Sequence, residues 1–138
     1  MSTVIRPDIS PKNKWWISKH RYYELKHYCL QYPEWNDMYL YFGNLLSKDL
    51  SGTTKQPSKP VEYMAEQREY YKKHMDLVKK CCVLADPDLS NYIFKAVTKG
   101  LSFVNLKTVY EIPCGKDMYY DRYRKFFWIL SRKQQTFL

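Results

Sequence analysis

Residues 100–133 read GLSFVNLKTVYEIPCGKDMYYDRYRKFFWILSRK, and their reading decides the fold. Gly100 suits the end of a preceding helix, and Ser102 suits the N-cap of a short new one. Phe103, Leu106 and Tyr110 recur at helical intervals and turn one side inward. Ile112 plugs the turn, Pro113 stops the helix, and a last helix starts near Gly115. On a wheel of about 100° per residue, Tyr119, Tyr123, Phe126, Phe127 and Leu130 gather on one side. The opposite side presents Asp117, Asp121, Arg124, Lys125, Trp128 and Arg132, flanked by Tyr120 and Arg122. A short capped helix, a turn and a basic helix with one apolar face have the outline of a helix-turn-helix.

The same periodicity runs upstream. Ser18 is an N-cap, and Tyr22, Leu25, Cys29 and Tyr32 follow at helical spacing. Pro33 ends that helix and fits the first turn of the next, which runs over about 34–46 with Trp35, Met38, Phe42 and Leu45 apolar. Residues 61–86 read as one long helix, because Met64, Tyr71, Met75, Val78, Cys82 and Ala85 repeat at about 3.5 residues. Asp86 caps the next helix and Pro87 takes its first position. Leu89, Tyr92, Ile93, Ala96 and Val97 form one face that ends at Gly100. No strand alternation or hairpin signal occurs. The expected class is all-α, with about six helices and a C-terminal helix-turn-helix-like module.

Composition shifts divide the chain. Residues 1–14 hold two prolines and no periodic apolar pattern, so they read as a loose arm. Residues 15–46 read as an antiparallel helical pair. Residues 47–60, SKDLSGTTKQPSKP, read as a linker. Residues 61–138 read as a helical domain, with the helix-turn-helix-like module over about 88–133.

The chain has 138 residues and a net charge of +9, and residues 101–138 alone carry 7 basic and 3 acidic groups. Such a field favours polyanions or acidic protein surfaces. No apolar run is long enough to span a bilayer, and residues 1–14 lack the apolar centre of a signal peptide. The four cysteines, Cys29, Cys81, Cys82 and Cys114, then read as reduced thiols in a cytoplasm. Neither C-x-x-C nor H-x-x-x-H spacing exists, so no metal is expected. Nothing has the pattern of a phosphate-binding loop, a nucleophile elbow or a paired-carboxylate cleft, so neither a catalytic residue nor a cofactor is expected.

The block GLSFVNLKTVYEIP with the following YYDRYRKFF resembles region 4 of sigma factors. It resembles more closely the small phage and prophage late-transcription regulators of the ArpU/RinA type. The upstream KHRYYELKHYCLQYPEW is similar to the start of prophage proteins of like length. The sigma-like resemblance covers about residues 88–133, and PCGKDM lengthens its turn by about two residues relative to the compact form. It implies a recognition helix over 116–133 and promoter binding that regulates phage genes in a bacterial cytoplasm.

The residues then expected on double-stranded DNA are Lys116, Asp117, Tyr120, Asp121, Arg124, Lys125, Trp128 and Arg132. Arginine and lysine would meet phosphates or guanine edges, and a carboxylate could accept from a cytosine amine. A second reading keeps the fold and changes the partner. The chain would be a phage-encoded module that inhibits or recruits a host protein, such as an RNA polymerase subunit or a defence nuclease, with Trp15, Trp16 and Arg21 as docking residues. The period of Met64 to Ala85 admits either a homodimeric seam or packing within one chain.

Overall fold

The computed structural model describes residues 14–50 and 59–137. Six α-helices follow in order: α1 (Lys19–Leu30), α2 (Tyr32–Leu50), α3 (Lys59–Ala85), α4 (Ser90–Lys99), α5 (Phe103–Thr108) and α6 (Lys116–Phe137). Among the described residues there is no strand, so the all-α class holds. The helices form two compact units, one drawn from Met1–Leu30 and Leu77–Leu138, the other from Gln31–Asp76.

These units divide the chain differently from its composition. Residues 15–46 are not one helical pair, because α1 and α2 fall in different units. In the Gln31–Asp76 unit, α2 packs on α3. Trp35 stacks on His74 with centroids 5.1 Å apart, the Arg68 guanidinium lies 4.2 Å from the Tyr39 ring, and Phe42 meets Tyr63 and Tyr71 at 6.3 Å. Partners descend along α3 as they climb α2, so this pair is the antiparallel one. Sequence adjacency pointed to α1 and α2, but the rings that match lie on α3. Helix also covers 47–50 and 59–60 of the expected linker, while 51–58 lie outside the described residues. The expected arm falls outside them too, except for Lys14.

The other unit holds the larger apolar core. Tyr22, Leu25 and Cys29 of α1 are buried, as are Val78, Cys81 and Cys82 of α3, Ile93, Ala96 and Val97 of α4, and Leu106 of α5. Tyr119, Phe126, Phe127 and Leu130 of α6 complete it, where the periodicity places them, and Tyr123 of the same side is half-buried. Each of the valine, leucine, isoleucine and phenylalanine side chains, fully buried, contributes about 2 kcal/mol. The helix α1 packs on α4 and α6, with Tyr22 edge-on to Phe127 at 5.1 Å and its hydroxyl 2.8 Å from that of Tyr123.

The corners follow their capping chemistry. Ser18 Oγ accepts the Arg21 N–H at the start of α1. The Asp86 carboxylate accepts the N–H groups of Asp88 and Leu89, but it caps a turn, and α4 starts later, at Ser90. Pro87 is therefore not the first helical residue. Gly100 adopts φ +71°, and the Leu101 N–H returns to the Ala96 carbonyl, a Schellman ending. Ser102 and Asn105 form a reciprocal capping box on α5. That helix ends at Thr108, before Pro113, because Glu111 turns left-handed at φ 55° and the Ile112 N–H bonds back to the Leu106 carbonyl. Tyr110 thus lies past the helix and is only half-buried.

Candidate nucleic-acid interface

The last helix is built from its first carbonyls upward. Gly115 O accepts the Tyr119 N–H, and Lys116, Asp117 and Met118 stand exposed on the opening turn. Residues 109–115 separate α5 from α6, whereas a compact helix-turn-helix uses about three or four. The lengthened turn is fixed by Ile112, which is buried, and by Lys107 Nζ, which donates to the Ile112 carbonyl at 3.3 Å.

Along the outer side the expected open row is only partly open. Lys116, Asp117 and Arg132 are exposed, whereas Tyr120, Asp121, Arg124, Lys125 and Trp128 are half-buried. Tyr120 leans on the rings of Tyr119, Tyr123 and Phe103. Asp121 pairs with Arg122, and Arg122 Nε reaches Asp86 at 3.0 Å, so that arginine ties α6 to the α3–α4 corner. The Arg124 Nε is enclosed and meets no hydrogen-bond partner among the described residues.

The segment before α1 accounts for the rest of the covering. Trp15 meets Trp128 edge-on with ring centroids 5.2 Å apart. Lys125 Nζ sits 5.3 Å and Lys14 Nζ 4.8 Å from the Trp15 ring centre, and the Arg132 guanidinium lies 4.1 Å from that of Trp128. Arg21 donates through Nε to Ser131 Oγ at 3.0 Å and through Nη2 to the Ser131 carbonyl at 3.2 Å, while Nη1 meets Glu24. Two residue sets that look separate in sequence, Trp15, Trp16 and Arg21 on one side and Lys125, Trp128 and Arg132 on the other, therefore share one surface. Trp16, Arg21, Trp128, Ser131 and Arg132 line a cleft of about 380 Å³. Ser131 and Gln135 also belong to this cleft and carried no signal in the sequence, since small polar residues on a basic helix look like solvated surface.

The electrostatics of this surface are simple. A cation resting on an indole face gains cation–π attraction without using its N–H donors. Lys125 and Arg132 therefore hold their positive charge uncompensated by any carboxylate among the described residues. Behind them the core is chemically quiet. Burial pushes the Cys81 thiol up to about 12, against the opposing pull of nearby Lys133 and Lys80, and pushes Cys29 and Cys82 up as well. Burial also raises the phenols of Tyr119 and Tyr123. All four cysteines are free thiols, and no group of three metal-ligating side chains gathers among the described residues. No helix among them is long and apolar enough to cross a membrane.

Comparison with known proteins gives no relatives: no family model, no curated protein and no solved structure matches the chain.

Proposed function

We propose that this chain binds double-stranded DNA through α6, and that it acts as a sequence-specific regulator of phage or prophage genes. The observation that carries the binding is the pair of cations held on tryptophan rings, Lys125 on Trp15 and Arg132 on Trp128, with their donors left over for phosphate oxygens. The regulatory role rests on the resemblance of residues 88–133 to late-transcription regulators. In this reading the two halves of α6 divide the work. Its exposed opening turn, with Lys116 and Asp117 and the adjacent Tyr120, offers base-edge contacts, as N-terminal residues of recognition helices do. Lys125 and Arg132, further along, hold the backbone and set the register.

Fluorescence anisotropy with a labelled duplex tests this. Affinity is expected to fall by about ten-fold or more between about 50 mM and 200 mM salt, because each phosphate contact, those of Lys125 and Arg132 among them, releases counterions. Lys125→Ala is expected to weaken binding to every sequence and to lower the log–log salt slope by about one. Absence of binding to any duplex at low salt ends the proposal.

One observation favours a protein partner instead. Val104 and Val109 are each 65 % exposed and Met118 is 46 % exposed, around the same α5–α6 turn. Apolar side chains there suit a protein surface, such as a polymerase subunit or a defence nuclease, better than a phosphate backbone. A pull-down from nuclease-treated host lysate separates the two. A stoichiometric partner that Val104→Asp abolishes supports the protein reading, and loss of all partners on nuclease treatment supports DNA.

A further inference from the structure

The cleft beside α6 has a composition that duplex binding does not need. Its floor and walls combine one exposed indole, one arginine with unused donors and a side-chain amide. Trp16 is 41 % exposed. Arg132 makes no hydrogen bond among the described residues, and its guanidinium carbon lies 4.1 Å from the Trp128 ring centre. Gln135 adds an amide with both donor and acceptor capacity. Trp128 is already engaged, with Arg132 over its ring and the Trp15 ring inclined to it at 65°. Arg21 is spent on Ser131 and Glu24, which fixes the wall between α1 and α6.

We propose that this cleft seats one unpaired nucleotide of single-stranded DNA, with the base stacked on the Trp16 indole and its phosphate on the Arg132 guanidinium. The volume of about 380 Å³ is in the range of a site for one small flat molecule and far from that of a duplex. An indole beside an arginine is the combination that single-strand binders use, stacking for the base and charge for the backbone. A guanidinium resting over a ring is restrained, and its planar fork of N–H donors matches phosphate oxygens. Gln135, which also lines the cleft, supplies an amide that can pair with a base edge. An acidic peptide would satisfy Arg132 but leave the Trp16 indole without a flat partner. The inference rests on the nucleic-acid reading of α6 and extends it from duplex to single strand; the two substrates share Arg132, and Trp16 is used by the single strand alone.

Anisotropy of a labelled oligothymidylate of about 12 nucleotides tests it, with an abasic oligonucleotide of equal length, a duplex and polyglutamate as competitors. Thymidylate is expected to bind about five-fold or more tightly than the abasic strand, the lower end of what stacking on one aromatic side chain is worth. Trp16→Ala is expected to erase this advantage and leave duplex affinity unchanged, while Trp16→Phe keeps most of it. Far-UV circular dichroism verifies that both variants fold, and Trp16 is exposed enough to be replaced. Equal binding of thymidylate and abasic strands overturns the proposal. So does an unchanged advantage in Trp16→Ala, or polyglutamate competing as well as thymidylate at equal charge. Duplex binding without thymidylate preference sinks the cleft alone. Thymidylate preference without duplex binding upholds the cleft and sinks the reading of α6.

Discussion

Asp86 shows how one side chain can hold a corner. One carboxylate oxygen accepts the N–H groups of Asp88 and Leu89, and the other takes Arg122 Nε at 3.0 Å. Asp86→Ala is expected to destabilise the protein by about 2–3 kcal/mol, because it strips two turn donors and half of the Arg122 anchorage at once. Asp86→Asn retains an acceptor and is expected to recover about half of that, as urea denaturation would measure. The capping half of this role is legible in the sequence, since an aspartate before a proline marks a turn. The other half is not. Arg122 lies 36 residues away on the flank of a helix, and periodicity cannot say which cation on a flank meets which carboxylate. The same blindness affects Lys125 and Arg132, which look solvated in sequence and rest on indoles in the structure.

At the scale of elements, helix ends carry most of what the chain states openly. Gly100 sits at φ +71°, where a β-carbon is strained whatever room surrounds it. Gly100→Ala is expected to cost about 1 kcal/mol, seen as a lowered melting temperature. Glu111 is the counterpart. It occupies the left-handed region at φ 55° without being a glycine. Glu111→Gly is expected to stabilise by about 0.5–1 kcal/mol in the same melt, because it relieves the clash of a β-carbon with the backbone. Gly100 and Ser102 are readable because glycine and serine are the residues those positions favour. The end of α5 is unreadable for the opposite reason, since a glutamate there carries no signal, and Pro113 attracts the boundary instead. Pairing of elements is weaker still in the sequence. The aromatic stripe of α2 fits the rings of α3, but a stripe names a need for a partner and not the partner.

For the molecule as a whole, burial of His74 links stability to acidity. It is 6 % exposed, stacked on Trp35 and edge-on to Tyr70 at 4.6 Å. Burial pushes its imidazole below the ordinary value of 6.5. The unfolded chain therefore takes up a proton near that ordinary value while the folded one still refuses it. Stability from this source is complete above about pH 7 and is lost as the pH falls through the mid-6 range toward the lowered folded value. The melting temperature is expected to drop between about pH 7 and pH 5, and His74→Phe is expected to flatten that part of the profile. At this scale the sequence reveals the class of the fold and the buried side of α6. It conceals the meeting of residues 15–21 with residues 125–135, because a contact across 110 positions, such as Arg21 to Ser131, leaves no trace in local spacing.

The hydroxyls of Tyr22 and Tyr123, 2.8 Å apart in a part-buried seam of rings, join two positions 101 residues apart in the chain. Taking the oxygen from Tyr22 alone removes this partner of the Tyr123 hydroxyl, so the cost of the second change depends on the first. A double-mutant cycle of Tyr22→Phe and Tyr123→Phe is therefore expected to show losses that are less than additive.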